Sequence, residues 1–287
     1  MNIKKTNSYT IEVNGKQLSL NDSDCIVKTA GTDYYIHKNK RDNNFILSEF
    51  KKLKMFKLIG GFHYGLIPED FKAINNINEK SATKIAGINN YSIWGKKHRP
   101  KCNPEGMVFI PKLKIWVDIY LLNSEHKDNG TSKANLSIAA GNNYKGRKIP
   151  VDEESLKGDV VDRIAKSHKK RLLTQKEFRK AMYGVKEGVS AEDKDDGIIK
   201  HIEDFTSRYG IEQATGVIWV WSKDKHNSQD DLAVILGGHR AHGVYAGSRA
   251  SKWSSYVWNS DWSIGSRFAC DSWNLKNEAK AKFKKEK

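Results

Sequence analysis

Residues 239–263 carry His239, His242, Tyr245, Arg249, Trp253, Tyr256, Trp258, Asn259, Asp261 and Trp262 on a glycine- and serine-rich background. They show neither the two-residue period of a strand nor the 3.6-residue period of a helix. Six of the eight tryptophans (Trp219, Trp221, Trp253, Trp258, Trp262 and Trp273) lie beyond residue 215. Disordered segments are poor in tryptophan, so this stretch must be folded although it lacks regular periodicity. Stiff aromatic side chains lose few rotamers on contact and offer an apolar face with a polar edge, as binding surfaces require. Some of these rings fill a core, Trp219 and Trp221 first, with Trp253 and Trp273 the next candidates. The interspersed Ser254, Ser255, Asn259, Ser260, Asp261 and Ser263 argue that the set also includes an exposed cluster.

The rest of the chain must supply a scaffold for that stretch. With 287 residues, 38% of them hydrophobic, there is material for a real core and for two domains. No run approaches the roughly 20 apolar residues of a membrane span, and Met1-Asn-Ile-Lys-Lys-Thr6 leads into polar sequence, so a soluble protein without membrane insertion is expected. Cys25, Cys102 and Cys270 are odd in number and far apart, which offers neither a disulfide framework nor a CxxC metal pair and suits assembly in a reducing cytoplasm. The formal charge of +16 invites anionic partners. Much of it, however, comes from scattered lysines and a basic tail at 276–287, read as a solvated run and not as a site for specific nucleic acid.

Along the chain, Tyr9 to Val13, Asn14-Gly15 and Lys16 to Leu20 read as a hairpin about a type I′ turn. Strand-like runs follow at Cys25 to Thr29, Tyr34 to His37, Phe45 to Phe50 and Phe56 to Ile59, with Gly60-Gly61 and Leu66-Ile67-Pro68 as breaks. Residues 1–100 are thus a small β-rich domain, with a hinge near residue 100. Met107 to Pro111 and Ile115 to Leu122 read as paired buried strands, and Asn123 to Gly158 as long surface loops. Three helices are predicted. The first covers Val160 to Lys170. The second, of about three turns, begins at a Thr174/Glu177 capping box with Leu173 stapled onto Phe178. The third carries Ile198, Ile199, Ile202, Phe205 and Tyr209 and stops at Gly210. Gly216 to Trp221 and Leu232 to Leu236 are buried strands about a polar loop, and regular periodicity then ceases up to Trp273.

Leu236-Gly237-Gly238, Gly243, Ala246-Gly247-Ser248-Arg249, Trp253 and Asn259 through Asp271 form a closing pattern. It resembles that of the formylglycine-generating-enzyme type of C-type-lectin fold, and within that superfamily is most similar to the ligand-binding proteins of phages, among them tropism determinants and the variable proteins of diversity-generating retroelements. Gly106 to Ile110, Leu172 to Phe178 and Ala214 to Trp219 fit earlier signposts, so the resemblance spans about residues 105 to 275. It implies an α+β chain in which a C-type-lectin-like domain (101–275) follows the β-rich one. It also implies a ligand-binding surface of His239, Arg240, His242, Tyr245, Arg249, Ser251, Ser254, Ser255, Tyr256, Trp258, Asn259, Asp261 and Trp262. Gly237, Gly238, Gly243, Gly247, Gly265 and Arg267 would be scaffold, the glycines permitting tight turns and a buried Arg267 tying loop carbonyls together.

Enzymes of that superfamily use a cysteine pair with copper, or a His-rich iron site. Here Cys270 has no cysteine neighbour in the matching region except Cys102 at its edge. His239 and His242 sit in a glycine-bounded loop without a third ligand, and the acidic runs at 152–154 and 192–196 lack the alternation of a calcium loop. No phosphate loop, dinucleotide fingerprint or nucleophile elbow occurs. No enzyme, metal or cofactor is therefore expected. The resemblance implies a virion protein that binds a bacterial-surface protein or glycan, self-associates (a trimer being the first guess) and meets other virion proteins. The competing reading is a capsid or tail decoration protein that uses the same fold for assembly contacts.

Overall fold

The computed structural model describes residues 2–21, 28–68, 84–202, 204–225 and 231–273. The expected strand from Cys25 to Thr29 and the basic tail fall largely or wholly outside them. β1 (Ile3–Lys5), β2 (Thr10–Val13) and β3 (Lys16–Ser19) make a three-stranded antiparallel sheet. Asn14 at φ 51° and Gly15 at φ 89° supply the two left-handed residues that a type I′ turn needs.

A second sheet contains β4 (Thr32–Asn39), β5 (Phe45–Ser48), β6 (Phe56–Pro68) and β7 (Lys84–Ile88) in the order β5-β4-β6-β7, with β8 (Trp94–Gly95) also pairing to β6. Gly60-Gly61 and Leu66-Ile67-Pro68 are not breaks, because β6 runs through both. A Cβ on Gly60 would stand 2.5 Å from the Trp94 carbonyl oxygen, and one on Gly61 2.8 Å from the Trp94 ring. The glycine pair admits a close backbone approach by β8 and makes no turn. Ile11, Val13, Tyr34, Ile36, Phe62, Tyr64 and Ile88 join the two sheets in one apolar cluster.

Beyond residue 100 the elements are β9 (Met107–Ile110), β10 (Ile115–Asp118), α1 (His126–Asn129), α2 (Gly158–Ser167), β11 (Arg171–Leu172), α3 (Gln175–Ala181), β12 (Trp219–Lys225), β13 (Leu232–Leu236), β14 (Ser251–Tyr256), β15 (Ile264–Gly265) and β16 (Phe268–Asp271). They form two four-stranded sheets, ordered β11-β16-β10-β9 and β14-β13-β12-β15. Sheet dominates. β9 and β10 pair as expected, and β13 is buried along its whole length. The capping box before α3 is complete: Thr174 Oγ1 accepts from the Glu177 amide, and the Glu177 carboxylate accepts from the Thr174 amide at 2.9 Å. That helix lasts about two turns, not three.

Three further expectations need correction. Residues 123–158 are only in part a surface excursion: residues 142–146 are exposed, but Asn123, Ser124, Ile138, Ala139, Ala140 and Leu156 are buried, with Asn123 bridged to Ile138. The segment from Ile198 to Tyr209 is not helical. Its backbone bonds leave the segment, Ile199 pairing with Leu136 and Asn135, and Asp204 sits at φ 73°, which no α-helix tolerates. Its apolar residues Ile199, Ile202, Phe205 and Tyr209 are nonetheless core. Finally, residues 251–256 form β14, although the stretch after Leu236 carries no strand period.

The first hundred residues are locked to the rest of the chain. His63 on β6 bonds Asp33 at 3.1 Å through Nδ1 and the Tyr120 hydroxyl at 3.0 Å through Nε2, while the Gly106 amide donates to Asp33 at 3.1 Å.

Candidate functional site

The scaffold beneath residues 239–262 is built from β12 and β13, whose buried runs include Trp219, Val220, Trp221, Val234, Ile235 and Leu236. The chain leaves β13 through Gly237 at φ 96° and Gly238 at φ 79°, both in the left-handed region. A Cβ on Gly237 would meet Phe178 Cζ at 2.9 Å, and one on Gly238 would meet Ala246 at 2.8 Å. The Gly237 amide donates to Ala250 O at 3.0 Å and its carbonyl accepts from Gly216 and Gly247 at 3.0 and 3.1 Å. Gly247, at φ 150°, packs against the Glu187 carboxylate, which holds the Ser248 amide at 3.0 Å. Gly265 lies under the Ala139 carbonyl with no room for a side chain, at 2.8 Å.

Arg267 is fully buried and donates to four carbonyls: Asp118 at 2.9 Å, Ile119 at 2.5 Å, Glu212 at 2.6 Å and Gln213 at 3.2 Å. It thereby joins β10, β16 and the 205–215 segment, as a planar five-donor guanidinium can. Desolvation pulls this guanidinium down to about 9.

Over this base the sequence-derived surface residues divide into three groups. Tyr245, Arg249, Ser254, Tyr256 and Trp258 are exposed, and His239, His242, Ser251, Asn259, Asp261 and Trp262 are partly so. Arg240 and Ser255 are corrections, being only 8% and 1% exposed. The Arg240 guanidinium turns inward to the Asp195 carbonyl at 2.7 Å, and its amide bonds Val217 O at 3.1 Å. Ser255 is the single inward residue of edge strand β14. Trp253, a candidate for burial, instead stands exposed, as do Val244 and Lys252.

Tyr245 is 78% exposed and Trp258 50%. Tyr256 stacks on Trp258 with centroids 4.7 Å apart and planes 15° from parallel. The backbone below them is held: Val257 N bonds Asp231 O at 2.9 Å, Asn259 N bonds Tyr256 O at 2.9 Å, and Gly141 N bonds Asp261 O at 2.8 Å.

A second set of rings forms a row. Trp219 touches His242 (4.9 Å between centroids), His242 touches His239 (4.1 Å), His239 touches Trp262 (5.2 Å) and Trp262 touches Tyr144 (4.8 Å). The Arg147 guanidinium lies 5.7 Å over Trp262 and is paired with Asp195 in full burial. Burial holds His239 down at about 4 and lowers His242 as well, so both rings are neutral near pH 7. Tyr144 was missed by sequence reasoning, since one tyrosine in a polar loop carries no signal. It also lines a cavity of about 630 Å³ with Lys145, Lys148 and Glu153. Among the described residues, no group of three or more His, Cys, Asp or Glu could hold a metal ion.

Such an arrangement suits binding: aromatic faces, neutral imidazoles and serine hydroxyls stand on a backbone held by hydrogen bonds. No protein-family model matches the chain. Solved structures of the Major Tropism Determinant share its C-type-lectin fold. The I1 variant matches at TM-score 0.79 and 26% identity, and the P3c variant at 0.78 and 27%, each covering 95% of this chain and 84% of that one. A tail fiber receptor-binding protein of Bordetella phage BPP-1 is 30% identical over 284 residues, spanning 90% of this chain and 72% of that protein. These relatives are receptor-binding and tropism proteins, not enzymes. By that likeness along nearly its whole length, the chain belongs to the family of phage tail fiber receptor-binding proteins.

Proposed function

We propose that this chain is a phage virion protein that binds a bacterial-surface receptor, protein or glycan, through side chains displayed on the pinned loops at 239–262. The observation that carries the reading is the half-exposed Tyr256–Trp258 stack above a backbone already ordered by internal hydrogen bonds. Such a platform presents large contact area at little ordering cost. The receptor-binding names of the relatives favour this over decoration of a capsid.

On this reading residues 1–100 attach the protein to the particle, and residues 101–275 are an α+β domain of the formylglycine-generating-enzyme type that faces the host. The protein assembles in the host cytoplasm, and a trimer would add avidity to weak single-site contacts. The surface comprises Tyr245, Arg249, Ser254, Tyr256 and Trp258 with the partly exposed His239, His242, Ser251, Asn259, Asp261 and Trp262, and without Arg240 and Ser255. Phage carrying Tyr256→Ala and Trp258→Ala together should lose adsorption to their host, while the purified variant keeps its melting temperature. Unchanged adsorption would overturn the assignment.

A further inference from the structure

Cys102 and Cys270 are separated by more than half of the chain, yet the fold brings both into one cluster. Pro100 bridges Ser272 in antiparallel fashion, with Lys101 N donating to Asp271 O at 3.0 Å and Trp273 N to Arg99 O at 2.8 Å. Those two bonds make 100/272 a pair without mutual amide bonds. Cys102 and Cys270 lie two residues beyond that bridge on the two segments. A pair of the 100/272 kind has Cα atoms about 4.5 Å apart, and a disulfide spans about 4.4–6.8 Å.

Both side chains belong to one small apolar cluster with Met107 and Trp116. The Cys102 sulfur lies 3.5 Å from Met107 Sδ. Cys270 is buried, whereas Cys102 is partly open to solvent. The neighbouring Cys270 and burial push the Cys102 thiol up, while the neighbouring Cys102 pulls Cys270 down to about 7. Cys102 is thus placed to meet a reagent, and Cys270 to resolve the mixed disulfide that results.

We propose that Cys102 and Cys270 are a cross-strand disulfide site, closed by exchange with a low-molecular-weight disulfide once the particle leaves the reducing host. The Cys102 sulfur attacks the small disulfide RSSR, its proton leaving with the expelled thiol RSH, and a mixed disulfide Cys102–S–SR forms. The Cys270 sulfur then attacks the Cys102 sulfur, the S–SR bond breaks, and the second RSH leaves with the Cys270 proton. The two cysteines lose two electrons and the small disulfide gains them. The product staples the 99–102 strap, which connects the β-rich sheets to the lectin-like region, onto closing strand β16. Cross-links over long chain segments restrict the unfolded chain most.

The test uses the full chain bearing Cys25→Ser, equilibrated in glutathione buffers from fully reduced to fully oxidised, quenched with alkylating agent and digested. The expected result is a peptide joining Cys102 to Cys270 in the oxidised sample and a melting temperature higher by on the order of 5 °C. Cys102→Ser and Cys270→Ser should each abolish both. Quantitative alkylation of both thiols in the oxidised buffer, or a glutathione adduct that persists on Cys102, would overturn the proposal.

Discussion

Two segments of this protein lack regular secondary structure for most of their length, and they face opposite ways. Residues 198–216 are core: Ile199, Ile202, Phe205, Tyr209, Ile211 and Ala214 are all buried. Residues 239–262 carry the exposed Val244, Tyr245, Trp253, Tyr256 and Trp258. What separates them is where their polar side chains are used. In the inner segment Ser207 Oγ accepts from the Tyr209 and Ile211 amides at 3.2 Å, Gln213 bonds the Ile198 carbonyl at 3.0 Å, and Glu212 takes Thr206 at 2.7 Å and His201 at 3.0 Å. Its backbone groups, denied a helix ladder, are satisfied partly by its own residues and partly by outside ones such as Asn135, Leu136, Ile119 and Tyr183, and the apolar side chains pack inward. In the outer segment outside residues such as Glu187, Ser190 and Val217 fix the backbone, which leaves its own side chains for the solvent. Irregular backbone therefore signals neither burial nor exposure by itself.

Arg267 ties the inner segment to the end of β10, and removing it should have the largest effect. Arg267→Met takes a charged donor from four buried carbonyls, of which Ile119 keeps the Glu212 amide, and we expect a loss of about 3–5 kcal/mol in urea unfolding. A loss under about 1 kcal/mol would mean that the inner segment does not depend on this tie.

Next come the glycines at the start of the outer segment. Gly237→Ala meets Phe178 at 2.9 Å and sits at φ 96°, so about 1–3 kcal/mol should be lost. Gly243 also has positive φ, 49°, but a Cβ there meets nothing within 4 Å, and Gly243→Ala should cost about 1 kcal/mol or less. Equal costs would show that the close approach at Gly237 adds nothing to the backbone conformation.

A smaller effect should appear on acidification. Burial holds His239 of the outer segment and His126 on α1 down at about 4, against an ordinary value of 6.5. Between those values the unfolded chain takes up protons that the folded chain refuses. Stability contributed by these two rings is therefore complete above about pH 6.5, falls as pH drops toward about 4, and changes little below it. His239→Asn should flatten part of that slope in thermal melts taken across the window, and an unchanged slope would place the acid response elsewhere.

The same contrast explains what could be read in advance. The Asn14-Gly15 turn, the Thr174/Glu177 cap and the apolar runs of β12 and β13 are encoded within a few neighbouring residues, so their signals survive in a linear reading. Arg267 and the glycines about it were legible through a resemblance in the closing pattern. By contrast, β14 buries only Ser255 among Ser251–Tyr256, which leaves no alternation to detect. The apolar residues of 198–209 have helical spacing, yet partners far away in sequence, such as Leu136 and Tyr183, take backbone bonds from them and their neighbours. Gly60-Gly61 looked like punctuation because Trp94, against which it packs, lies over thirty residues on. Arg240 looked like surface because the Asp195 carbonyl that holds it could not be seen.

The smallest structural effect is expected where the functional one is largest. Trp258 is 50% exposed and its contact is a stack on Tyr256, whereas Phe205 in the inner segment is 2% exposed. Phe205→Ala should therefore cost about 3–5 kcal/mol, and Trp258→Ala should stay within about 0.5 kcal/mol of the parent. Both are aromatic truncations on irregular backbone, so the pair isolates burial from ring chemistry. A Trp258→Ala loss approaching that of Phe205→Ala would mean that the stack supports the fold. It would then be a structural element and not a platform held out for a receptor.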